Sequence, residues 1–189
     1  MNFYAMKMND QERAAAIARL ESSRDKLIAA LDGIGEEEAL FTPSAERWSI
    51  LQLAEHLATS DPGLRKLIRG ALESPAQPEL MEKARRHDHR FLGELKPFPR
   101  GVNRAPEFLV PRSAYAKVDE ALAVFLRERA ATIEYARTTE DDLRGHFANH
   151  SVLGPMDGYQ WLVACAVHVE SHALQILELR ELWKKAGHE

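Results

Sequence analysis

The chain has 189 residues, a net charge of −4 and a pI near 6.1, most simply one domain over residues 1–189 that buries its own core without staples. The acidic balance argues against nucleic acid or an anionic membrane as partner, and the lone cysteine, Cys165, excludes an intrachain disulfide and fits a reducing compartment. The first ten residues hold no apolar signal core and no stretch approaches the ~18 apolar residues of a membrane span, so a cytoplasmic protein is expected.

Helical periodicity marks four long segments. The first runs from about Asp10 to Leu31, with Ala14, Ile17, Leu20, Leu27, Ile28 and Leu31 as its stripe, Asn9 or Asp10 as cap, and Gly33 and Gly35 behind it. The second starts at Ser49, a good N-cap after Trp48, and runs to about Leu72. Its stripe is Ile50, Leu53, Ala54, Leu57, Leu64 and Ile68. Pro62 within it is expected to kink or break the helix beyond His56. A proline-rich connection of residues 73–112 follows, with a short helix over about residues 79–91. Connections this long are usually functional or mobile. The third long helix is expected from about residue 113 to 137, on Ala114, Val118, Leu122, Phe125 and Ile133. Residues 138–155 read as a loop with a helical turn, and the fourth helix spans about residues 157–185. Strand signals are almost absent, Phe108-Leu109-Val110 being the one extended-looking piece. The fold class is therefore all-α, a four-helix bundle with a long connection between the second and third long helices.

Three histidines carry the chemistry. His56 lies on the second helix, and His168 and His172 lie four apart on the last. Imidazoles at that spacing leave one helix face about one turn, ~6 Å, apart. A third from a neighbouring helix makes a three-histidine site with one position open, which metal catalysis needs and a closed structural site lacks. A single helical histidine is usually a surface or hydrogen-bonded core residue. The pair is different, because the apolar run from Trp161 to Val167 leads into it and two imidazoles there need polar partners or a metal.

Other chemistries find less support. Glu170 follows His168 by two residues, a rotation of roughly 200° around the helix, which points it away from the site and makes it an ion-pair partner or a solvated carboxylate. Leu53, Leu143, Cys165 and Val169 stand where a di-iron Glu-x-x-His would need glutamate. His146 and His150 form a second pair, expected at a pocket wall or surface because Gly154-Pro155 follows. His87 and His89 sit in a charged, solvated run, and His188 in the tail. Cys165 reads as a small core residue, with a place beside the site as the lesser alternative. No nucleophile elbow, phosphate loop or dinucleotide fingerprint is present.

Arg47-Trp48-Ser49-Ile50 leading to Glu55-His56-Leu57-Ala58 resembles the second-helix motif of the DinB/YfiT-like superfamily. The run His150-Ser151-Val152-Leu153-Gly154-Pro155 to Trp161, followed by His168-x-x-x-His172-x-x-Gln175-Ile176, resembles its C-terminal signature. The layout covers nearly the whole chain. The resemblance implies an antiparallel four-helix bundle with one divalent metal ion, zinc or nickel first and iron next, on His56, His168 and His172. It also implies a homodimer, and either a metal-dependent hydrolase or a transferase using low-molecular-weight thiols such as bacillithiol or mycothiol. Ser151 departs from the His-Pro of many relatives and Pro62 is a second local departure.

Two enzyme chemistries fit such a site: water acidified by the metal, or a thiol held as thiolate, attacking a small electrophilic substrate. No unambiguous general base is visible. Gln52 and Gln175 stand near a turn from ligand histidines and serve either as supports or as solvated side chains. The alternative is a non-catalytic metal-binding or stress-response bundle. Substrate determinants are expected in residues 73–112 and 138–155.

Overall fold

A computed structural model of the chain describes residues 7–86, 88, 105–151 and 153–187. Helix α1 (Asp10–Leu31) opens on a capping box: the Asn9 side chain accepts from the Glu12 amide, and Glu12 accepts from the Asn9 amide. A short helix, α2 (Glu36–Leu40), follows. Helix α3 (Ile50–Leu72) opens on the same device between Ser49 and Gln52. Next come α4 (Pro78–Arg85), a single 3-10 turn (Glu107–Leu109) and α5 (Val118–Thr138). Strands β1 (Phe147–His150) and β2 (Gly154–Asp157) pair antiparallel, Phe147 opposite Asp157 and His150 opposite Gly154. Helix α6 (Gly158–Lys185) is capped by Asp157 and Gln160.

Contacts between named residues fix the directions of the long helices. Arg19 and Lys26 meet Glu170, and Arg180 meets the carbonyls of Ala30 and Asp32, so α1 and α6 run parallel. One apolar cluster joins the early half of α3 to Val118, Ala121 and Phe125 of α5; another joins Leu64 and Ile68 to Ile133 and Ala136. Those two helices are therefore also parallel. Across the pairs the directions reverse: Arg13 of α1 donates to Ala136 O, and His56 and Asp61 of α3 meet His168 and Cys165 of α6. The bundle is up-down-down-up. Of the neighbouring pairs, α1 with α5 and α3 with α6 are antiparallel, as the resemblance implies, whereas α1 with α6 and α3 with α5 are parallel. Parallel helices cannot be joined by a tight turn, which is why the long connection follows α3.

The α3 stripe is buried as its sequence dictates. In α1 the buried residues are Ala16, Leu20, Ser23, Leu27, Ala30 and Leu31, while Ala14 and Ile28 face out. Pro62 does not break α3, which runs through it. A lost internal hydrogen bond and ring clash cost ~3 kcal/mol, and buried Leu57 and Leu64 on either side hold the helix in place. Helix α5 begins at Val118 rather than 113, since Ser113 has a left-handed φ of 59°. Phe108 and Leu109 are not extended, because Glu107–Leu109 closes a 3-10 turn; of the expected piece Val110 alone has extended backbone. The expected loop before α6 is the β-hairpin, whose four-residue strands are too short to show a period of two. Helix α6 is, against expectation, long and apolar enough by length and composition to cross a membrane, and half of that stretch is buried within the bundle. The last part of the short helix expected over residues 79–91, together with His87, His89 and His188, lies outside the described residues.

Candidate metal centre

His56 is placed by α3, and His168 and His172 by successive turns of α6, facing each other across an antiparallel seam. Their Nε2 atoms converge. His168 Nε2 lies 3.0 Å from His56 Nε2 and 3.0 Å from His172 Nε2, and all three ligand atoms fall within 4.8 Å of one another. The rings stand edge-on, with centroids 4.5 to 5.0 Å apart. His56 is buried and the α6 pair half-buried.

For His56 and His172 the opposite ring nitrogens indicate which atom carries the proton. His56 Nδ1 lies 2.8 Å from Leu109 O; a carbonyl only accepts, so this nitrogen donates and Nε2 keeps its lone pair. His172 Nδ1 meets Gln175 Oε1 at 3.3 Å in the same sense. Lone pairs brought to 3.0 Å repel. A proton on His168 Nε2 relieves one of its two contacts and leaves the other. A cation relieves both, and ~2.0–2.1 Å bonds in tetrahedral geometry set ligand nitrogens ~3.3 Å apart, close to the two 3.0 Å separations made by His168. The donor set therefore fits a divalent ion. An outward N–H bonded to a carbonyl is the usual support of a ligating imidazole.

The electrostatics agree. Burial pushes the His168 imidazole well below the usual histidine range, with His172, His56 and the Arg129 charge adding to the effect. Burial and then His56 bring His172 down to about 3. Burial lowers His56 too, against the pull of the Leu109 carbonyl. All three are neutral near pH 7, the form that binds metal.

Helix periodicity and two capping boxes account for the convergence. The segment from Ser49 to His56 is rigid from its first turn, and the Trp48 ring lies 5.0 Å from the His56 ring. A model of the DinB superfamily matches residues 19–176, which contain all three histidines. The chain belongs to the DinB superfamily. The uncharacterized protein YuaE of Bacillus subtilis strain 168 is similar, 25% identical over 172 residues that cover 89% of this chain and 96% of YuaE. The solved structure of YfiT from Bacillus subtilis, described as a probable metal-dependent hydrolase with an unusual four-helix bundle topology, matches with a TM-score of 0.56. That match covers 100% of this chain and 95% of YfiT at 15% identity, a likeness of fold.

Other histidine and cysteine candidates stand apart from this DinB centre. His146 precedes β1 and His150 ends it, so they do not form a helical pair; His150 Nδ1 accepts from the Leu153 amide and its ring meets Trp161 at 5.5 Å. Cys165 lies a turn before His168 but turns to Asp61, donating to Oδ1 at 3.1 Å, and burial raises its thiol well above the ordinary range. Glu170 is an ion-pair partner of Arg19 and Lys26, as expected from its position on the helix. Gln175 supports His172, whereas Gln52 is spent on the α3 cap.

Several contributors escape sequence reasoning: the Leu109 carbonyl, Glu55, and the Asp61–Arg129 pair. Glu55 adjoins His56, and buried polar side chains at Asp61 and Arg129 interrupt apolar faces. Those are faint signals, and none says which partner each will find.

Proposed function

We propose that His56, His168 and His172 hold one divalent cation, zinc or nickel first, and that the site uses it to direct a nucleophile at a small electrophilic substrate. The convergence of Nε2 atoms on helices α3 and α6 carries this reading. A divalent ion on three neutral imidazoles keeps its full charge and supplies Lewis acidity that makes water or a thiol nucleophilic near neutral pH. The chain's own residues orient the lone pairs, through Leu109 O and Gln175 Oε1, and keep the imidazoles unprotonated by burial. Hydrolysis is one outcome, in line with the description of YfiT.

Transfer of a low-molecular-weight thiol is the second reading, and one observation favours it. The carboxylates beside the ligands in sequence are already engaged: Glu170 with Arg19 and Lys26, Glu55 with backbone amides. A free thiol, with a pKa near ~8.5, needs less help to ionise than water does.

Elemental analysis of untagged protein beside a His168→Ala variant tests the shared premise. About one metal per chain, lost in the variant, is the expected result; no uptake after incubation with zinc and nickel sinks the catalytic reading. Cobalt-substituted protein then separates the chemistries, since thiol transfer requires an added thiol to change the visible spectrum, and hydrolysis requires the change to follow pH instead.

A further inference from the structure

Helix α3 carries a buried carboxylate directly beside its histidine. Glu55 is only 5% exposed, and both oxygens are engaged by backbone: Oε1 accepts from the Arg112 amide at 2.6 Å and Oε2 from the Ala114 amide at 3.2 Å. Between those amides stands Ser113, with φ 59°. A left-handed residue between two ordinary ones turns nearby N–H groups toward a common point, a backbone nest suited to an anion. Here the anion is the protein's own side chain. The segment so clasped includes Leu109, whose carbonyl accepts a hydrogen bond from His56 Nδ1–H. Gly63 lies under the same segment, where an added Cβ would sit 3.4 Å from the Phe108 ring and 3.8 Å from Leu109.

We infer that Glu55 is a positioning residue for the metal centre: its carboxylate, seated in the Arg112–Ala114 nest, holds the Leu109 carbonyl against His56 and so fixes the imidazole with its Nε2 lone pair facing His168. The inference rests on the metal-binding reading for its functional weight, but its structural half concerns the metal-free protein. Neighbouring residues of one helix turn point about 100° apart. One turn of α3 therefore supplies a ligand on one side and the clasp that orients it on the other. It also ties the end of the long connection to the ligand set.

The test uses the full chain and two measurements. Nitrogen-15 NMR of the imidazoles in metal-free protein reads the His56 tautomer, and competition with a chromophoric chelator reads zinc affinity. In the parent protein His56 carries its proton on Nδ1. Glu55→Gln keeps one acceptor and presents a donor to the second amide; it is expected to give a mixture of His56 tautomers and zinc affinity about 10–100-fold weaker. Ser113→Val leaves Glu55 in place but penalises the left-handed turn, and is expected to act in the same direction. Ser113→Gly keeps the turn and the parent behaviour. A merely stabilising role for Glu55 would lower the thermal midpoint without moving the tautomer. Unchanged tautomer and affinity in both Glu55→Gln and Ser113→Val overturn the inference while leaving the metal centre standing. A parent chain that takes up no zinc overturns the metal reading instead, and the tautomer shift still decides the role of Glu55.

Discussion

Two polar clusters, one fully buried and one partly so, lie about a helical turn apart in this bundle and meet opposite fates. In one, Arg129 and Asp61 are both fully buried, with Arg129 Nη2 and Nε each 2.9 Å from an Asp61 oxygen. Ser23 Oγ accepts from Arg129 Nη1, and Cys165 donates to Asp61. Opposite charges are brought together and the layer neutralises itself. In the other, three imidazoles are brought together without an opposite charge, and burial leaves them neutral with lone pairs opposed. The first group completes the interior. The second, on the reading proposed above, is complete only with a cation from outside. Burial of polar groups therefore does not by itself mark a functional site; the informative feature is a cluster whose members share the same unmet need.

Four experiments break or sharpen this contrast. The largest effect is expected at the self-neutralised layer: Arg129→Leu leaves the Asp61 carboxylate buried without its partner and should cost about 3–5 kcal/mol in urea unfolding. Adding Asp61→Leu should recover most of that loss, whereas a double variant no more stable than Arg129→Leu would show that the layer is not simply a neutralised pair. At the histidine centre the effect should depend on metal. With zinc at about 100 times its Kd, wild-type protein should gain about 2.7 kcal/mol over the chelated form. His168→Ala should abolish that gain and leave the chelated protein within about 1 kcal/mol of wild type, since it removes a repulsive contact along with the ring's packing.

The pH dependence follows from the lowered histidines. Their folded values lie below the unfolded value of about 6.5. Above that pH both states are neutral and these groups contribute no slope. Below it the unfolded chain takes up protons that the fold refuses, so stability of the metal-free protein should fall as pH drops from about 6.5 toward about 3, the value for His172. The slope is at most about 1.4 kcal/mol per pH unit for each histidine. Denaturation titrations of wild type and of a His168→Ala, His172→Ala double variant measure it; equal slopes would refute the assignment. The smallest effect belongs to Cys165→Ala, which removes a weak donor to Asp61 and should cost about 1 kcal/mol while leaving zinc affinity unchanged. A change in affinity would place Cys165 in the metal centre after all.

Much of this architecture was written in the sequence because helices are local. Asn9, Ser49 and the apolar spacing of α3 set boundaries through bonds three or four residues long, and an i, i+4 histidine pair shares a face on any helix. The order and separation of those pieces also suffice to suggest the family, and with it the third ligand. The hairpin, the 3-10 turn and the true start of α5 depend on a few residues with no periodicity to amplify them. The parallel placement of α3 and α5, the nest around Glu55, the Leu109 carbonyl at His56 and the Asp61–Arg129 pair join residues 50 or more apart. Such partners are chosen by packing, since an amide or carbonyl has no side-chain identity to read and a charge does not name its counter-ion. The sequence determined which residues are ligand candidates; the tertiary structure decided which nitrogens face each other and what holds them there.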